Sequence, residues 1–262
     1  MRRAISGFLS IILLAASFSV FADVEEGLKE ARNGNYSAAY KIWLADSNKG
    51  NAEAQNNIGV LFEKGLGVLL DLAKAREWYK KAATLGNHSA QNNLAVLLER
   101  GLGGPQDIPD AAHWYDEAAK QGDRNAMNNL ATLKQNGRGV PLDLPGAIDL
   151  YRRAADAGLS AAQNNLGVLY EKGNGVPRDD GMAAQYYRQA ANQNHAAAQN
   201  NLGILYGTGR GVPKSFLEAS YWFSLSSENG DKNGTNNRDA AVKKLQPNEL
   251  TELEQRLAAR VR

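Results

Sequence analysis

The strongest constraint on this chain is a period of 36 residues. Five consecutive stretches, 51–86, 87–122, 123–158, 159–194 and 195–230, align without a gap. Numbered from Asn51, position 4 is alanine, position 11 leucine and position 25 alanine in every copy. Position 8 is Ile58, Leu94, Leu130, Leu166 or Leu202, and position 29 is Tyr79, Tyr115, Tyr151, Tyr187 or Phe223. Self-similarity at ~20–50 residues marks an array of small units, none of which buries its apolar face alone.

Each column has a physical meaning. Positions 4, 8, 11 and 12 lie on one helical face. Position 9 is always small: Gly59, Ala95, Ala131, Gly167, Gly203. Glycine there costs up to ~1 kcal/mol of helix propensity, so its recurrence predicts a second helix crossing at close range. Glycines at positions 15 and 17 end the first helix, and Asp71, Asp107, Asp143, Asp179 or Ser215 at position 21 caps the next. Positions 25, 28, 29 and 32 form the second apolar stripe, which places Trp78, Trp114 and Trp222 in the core. Glycine at position 36, or Asn194 in the fourth copy, closes the unit. The pattern predicts an all-α chain of stacked helix–loop–helix hairpins.

The flanks divide the rest. Arg2 and Arg3 precede a charge-free, apolar stretch that ends at Ala22, the order of a secretory signal peptide (residues 1–22) cleaved after Ala22. That predicts export to the periplasm or beyond, with no integral membrane segment after cleavage. Residues 23–50 read as an N-terminal capping hairpin, with Ala39 and Trp43 at the equivalents of positions 25 and 29. Residues 231–262 read as a degenerate repeat, where Arg238 replaces the core leucine, followed by a capping helix carrying Leu250, Leu253, Leu257 and Val261 on one stripe.

The stretch AQNNLGVLYEKGNGVPRD at 162–179, with A-x-x-W/Y-Y-x-x-A-A-x-x-G at 111–122, resembles the Sel1-like repeat, a 36-residue relative of the tetratricopeptide repeat. The resemblance covers 51–230. It implies a right-handed α-solenoid with a concave inner surface and a role in protein–protein interaction. Some secreted relatives are rich in cysteine. This chain has none, which also removes disulfides, thiolate metal sites and a cysteine nucleophile.

The recurring polar feature is an Asn-Asn pair. Position 6 is Asn56, Asn92, Asn128, Asn164 and Asn200; position 7 is Asn57, Asn93, Asn129, Asn165 and Asn201. Asparagine is a poor helix former, so its recurrence needs a cause. One reading is a ladder of amides contacting an extended peptide on the concave face. The other is that position 7 bonds a neighbouring helix or loop as a packing device. Alignment to tetratricopeptide repeats implies that position 6 points into the concave face, which favours it for ligand contact. Glu63, Glu99 and Glu171 at position 13 share that face, beside Val60, Val96, Thr132, Val168 and Ile204 at position 10.

Other chemistries find little purchase. Thirty Lys and Arg against 28 Asp and Glu is no charge excess for nucleic acid, and cleavage would remove Arg2 and Arg3 and leave 28 of each. His88, His113 and His195 stand apart, so no metal site is predicted; His88 and His195 fall at helix starts and read as solvated. There is no serine elbow, no S-x-x-K motif and no nucleotide fingerprint, so no catalytic residue and no cofactor is predicted. The expected function is a non-catalytic scaffold or adaptor that binds another protein or an extended peptide. An immunity protein against a periplasm-acting toxin and an envelope signalling regulator are two forms of it. The alternative is a cell-wall-active enzyme such as a β-lactamase-like hydrolase.

Overall fold

The computed structural model describes residues 24–260; residues 1–22, read above as a signal peptide, Asp23, Val261 and Arg262 lie outside them. All secondary structure among the described residues is helical. Helix α1 spans 24–32. It is followed by α2 (Tyr36–Ser47), α3 (Ala52–Lys64), α4 (Leu72–Thr84), α5 (His88–Arg100), α6 (Ile108–Lys120) and α7 (Arg124–Asn136). Then come α8 (Leu144–Asp156), α9 (Ser160–Lys172), α10 (Asp180–Asn192), α11 (Ala196–Thr208), α12 (Phe216–Glu228), α13 (Lys232–Val242) and α14 (Pro247–Ala258). The fold is that of an α-solenoid of helix–loop–helix repeats.

Two compact units divide the chain: Met1–Ala126 with Arg138–Val140, and Met127–Gly137 with Pro141–Arg262. In the first, α2 packs on α3, α3 on α4, α4 on α5 and α5 on α6. In the second, consecutive helices from α8 to α13 pack in the same way, and α14 lies against α12.

The caps work as their sequence predicts. Asp71, Asp107, Asp143, Asp179 and Ser215 each accept a hydrogen bond from the backbone N–H three residues on. That N–H, from Lys74, holds the Asp71 carboxyl below the ordinary carboxylate range. Position 36 has positive φ in every repeat, and Asn194 adopts it at φ 61°, as the second residue after glycine that tolerates the left-handed turn.

The small residue at position 9 has the predicted cause. A Cβ placed on Gly59 would stand 2.6 Å from the Tyr79 ring, and one on Gly203 would stand 2.6 Å from the Phe223 ring. The aromatic of the second helix lies flat on the first. Tyr79, Tyr115, Tyr151 and Tyr187 are accordingly among the largest fully buried side chains, and Tyr187 shares a core cluster with Ala183, Ala190 and Ala198. Position 28 differs from expectation. Trp78, Trp114 and Trp222 are only half-buried, because one residue along a helix rotates the side chain by about 100° off the buried stripe. Lys81 sits over Trp78, 4.2 Å from the ring centroid.

Trp43 is buried and its indole N–H donates to the Val24 carbonyl at 3.3 Å. In α14 only Leu253 is buried, and Arg256 bonds Glu218 on α12 at 2.6 Å while covering the Tyr221 ring.

Candidate functional site

The first helices of the repeats carry the candidate residues. The structure brings the asparagines together in a specific way: position 7 of one repeat donates its Nδ2 to Oδ1 of position 6 in the repeat before. Within the first unit Asn93 donates to Asn56 at 3.2 Å. Within the second, Asn165 donates to Asn128 at 3.0 Å, Asn201 to Asn164 at 3.2 Å, and Asn237 of α13 to Asn200 at 2.8 Å. The partner is therefore a side-chain amide, not helix or loop backbone. An amide has both a donor and an acceptor end, so one residue type can propagate the ladder without limit. Asn57 begins the series, and its buried Nδ2 has no partner. Asn56 and Asn200 are buried, while Asn92, Asn128, Asn129 and Asn164 are half-buried.

The acidic candidates are also engaged. The Tyr79 hydroxyl donates to Glu63 at 2.5 Å, Tyr115 to Glu99 at 3.0 Å and Tyr187 to Glu171 at 2.7 Å. In the third repeat Tyr151 reaches Gln135 at 2.9 Å. Burial, seconded by the neighbouring carboxylate, raises the Tyr79 and Tyr187 phenols far above their ordinary range. An arginine from the next loop completes two of these clasps: Arg138 on Glu99 at 3.2 Å and Arg210 on Glu171 at 2.5 Å. In the fifth repeat the pair changes at both members, to Gly207 and Phe223. This joint change between positions 13 and 29 is the sequence signal that the two residues touch.

A third polar column carries no signal in the sequence pattern. Gln55, Gln91, Gln163 and Gln199 at position 5 are buried, and each donates to a carbonyl at the end of the preceding hairpin: Ser47, Ala83, Ala155 and Ala191. Their Oε1 atoms accept from position 35: Gln121 to Gln91, Gln193 to Gln163 and Asn229 to Gln199. Where position 35 is Leu85, the Oε1 of Gln55 is left without a donor. Where position 5 is Met127, position 35 is Ala157, so the amides vanish as a pair.

His195 departs from the solvated reading, whereas His88 is exposed as read. His195 is half-buried and caps α11, its Nδ1 accepting from the Ala198 N–H at 3.2 Å, and burial lowers its pKa from the ordinary value. His88 lies 3.2 Å from Asp123. Among the described residues no group of three or more acidic or histidine side chains is placed to hold a metal ion, and no helix is long and apolar enough to cross a membrane.

Exposed polar and half-buried apolar groups alternate on the first helices, with the polar centre tied up internally. Such a surface offers shape and a few edge contacts to a macromolecule. Comparison with known families matches the Sel1 repeat at 52–87, 88–123, 124–159, 160–195 and 196–231, one residue later in phase than the numbering used above. A Sel1 repeat protein from Oxalobacter formigenes is 33% identical with a TM-score of 0.79, covering 91% of this chain and 100% of its own. A protective antigen of uropathogenic Escherichia coli is 28% identical with a TM-score of 0.58, covering 92% of this chain and 60% of its own. An immunity protein of Pseudomonas aeruginosa, 18% identical with a TM-score of 0.56 over 80% of this chain and 83% of its own, shares the fold. No match emerged among curated protein sequences.

Proposed function

We propose that this chain, which belongs to the Sel1 repeat family, is a non-catalytic scaffold that holds a partner protein against the first helices of its repeats. The observation that carries the reading is the way successive repeats are locked together within each compact unit. Amide rungs and the glutamine bonds to the preceding hairpin tie successive first helices, and tyrosine–glutamate clasps tie the two helices of one repeat, so the exposed edges form a surface ordered before binding. A preformed surface loses less entropy on association, which suits recognition of an extended or folded protein. The contact residues we assign are the rims of the asparagine ladder, Glu63, Glu99 and Glu171, and the half-buried position 10 residues Val60, Val96, Thr132, Val168 and Ile204.

We place the protein in the periplasm or outside the cell, on the signal-like residues 1–22. A toxin active in that compartment is one partner of suitable chemistry, since the same fold serves an immunity protein of Pseudomonas aeruginosa. Nucleic acid, metal and cofactor play no part in this reading, and no specific observation favours the cell-wall hydrolase alternative.

Affinity capture from envelope extract with the chain from residue 23 onward tests it. A partner retained by wild type and lost with Val96→Lys or Val168→Lys, at unchanged helicity, supports the assignment. Failure to retain any protein, or turnover of a β-lactam or peptidoglycan substrate by the purified chain, overturns it.

A further inference from the structure

We propose that the fifth repeat carries a pocket for one aliphatic side chain of an acidic peptide segment, presented by the partner protein. The proposal rests on the scaffold reading and makes it more specific. Its origin is a set of coordinated truncations. The clasp that fills this place in the fourth repeat, Glu171 with Tyr187, is replaced by Gly207 and Phe223. On the following helix, α13, Ala240 and Ala241 occupy positions 10 and 11, where the five repeats carry Val, Thr or Ile and then leucine.

The result is a mostly apolar pocket of about 240 Å³ between α11, α12 and α13, with Ile204, Phe216, Ala219 and Phe223 on its walls. That is below the roughly 300–1,000 Å³ typical of small-molecule sites, and suits one side chain better than a cofactor. Its mouth is basic. The ammonium of Lys244 stands 4.6 Å from the Phe216 ring centroid, and that of Lys214 stands 5.2 Å from the same centroid. Neither lysine is ion-paired among the described residues. An aliphatic group in the pocket with a carboxylate one or two residues away would satisfy both features.

The test uses a fluorescein-labelled, end-blocked octapeptide, Gly-Ser-Asp-Glu-Leu-Asp-Gly-Ser, read by fluorescence anisotropy against the chain from residue 23 onward. Controls are the same peptide with glycine for leucine, the peptide with Asn-Gln-Leu-Asn at its centre, and free octanoate. The variant is Gly207→Glu with Phe223→Tyr, which restores the clasp of the other repeats. A Cβ at Gly207 meets only the Ala219 Cβ, at an ordinary 3.6 Å, so the backbone can accept it.

Wild type is expected to bind the acidic leucine peptide. Loss of the leucine, or restoration of the clasp, should each weaken binding about tenfold or more, the effect of exposing one aliphatic side chain. Lys244→Ala, an exposed change that leaves the core intact, should weaken the acidic peptide severalfold and leave the neutral one unaffected. No binding by wild type, equal binding of the glycine peptide, unchanged binding by both variants, or octanoate binding as tightly as the peptide would each overturn the proposal. A partner still captured in full by the clasp-restored variant sinks the pocket and leaves the scaffold standing. Absence of any captured partner strikes the scaffold, while the peptide titration still decides the pocket.

Discussion

The fourth and fifth repeats share one backbone plan and differ in how it is closed. In the fourth, Tyr187 fills the core and its hydroxyl reaches Glu171, which Arg210 also holds. In the fifth, Phe223 fills the same core without a hydroxyl, Gly207 offers no carboxylate, and a pocket opens beside them. The aromatic ring is needed in both, because a glycine at position 9 of each first helix leaves a surface that only a flat ring covers. The polar clasp is optional. Stacking depends on the ring, and the clasp decides whether the space beside it is filled or open.

The largest change should come from removing the ring. Tyr187→Ala is expected to cost about 3–5 kcal/mol in urea unfolding, and Phe223→Ala a comparable amount, since both truncate buried aromatics. A cost under ~1 kcal/mol at either site would break the claim that the ring carries the packing.

The hydroxyl separates the two repeats. Tyr187→Phe should cost about 1–2 kcal/mol because it leaves the half-buried Glu171 with one partner fewer. Phe223→Tyr alone should change stability by less than ~0.5 kcal/mol, because Gly207 gives the new hydroxyl no acceptor. Equal effects from the two substitutions would erase the distinction.

The helix starts sharpen it further. Leu159 precedes α9 and makes no side-chain cap, whereas His195 caps α11. Leu159→Asp is expected to raise stability by about 1 kcal/mol, read as a shift in the urea midpoint at constant slope. The smallest effect is tied to pH. Neutral His195 accepts a backbone hydrogen bond through Nδ1, and burial depresses its pKa in the folded state. A depressed folded pKa means that the cap's contribution is complete above the unfolded value of about 6.5 and is lost as pH falls through the lower folded value. Wild type should therefore lose up to ~1 kcal/mol more than His195→Asn between pH 7 and pH 5. Parallel pH curves would show that the histidine cap contributes nothing.

Much of the hairpin was legible in the residues because its signals are local. Asp71 before α4 and Gly65 after α3 each act within a few residues of their own position. The half-burial of Trp78 is not legible in the residues, because positions 28 and 29 are both aromatic and a stripe pattern does not say which of two adjacent rings faces inward. The asparagines were visible as a column, but their partners stand 37 residues away, and side-chain reach across a repeat boundary has no signature in either helix alone. The buried glutamines are hidden in the sequence for a related reason. A polar residue on an apolar face looks like an interruption until the carbonyl it satisfies is in view.

The sequence by itself determined the period, the hairpin, its caps and the alanine, leucine and aromatic columns, since burial and helix termination follow from short-range chemistry. Tertiary structure alone decided which polar columns meet: Asn165 with Asn128, Gln193 with Gln163, Tyr187 with Glu171. The first pairing is set by the rise and rotation from one hairpin to the next, the other two by how the two helices of one hairpin pack, and a linear pattern contains neither geometry. It also decided that the loss of one such pair, at Gly207 and Phe223, leaves a pocket instead of a collapsed core.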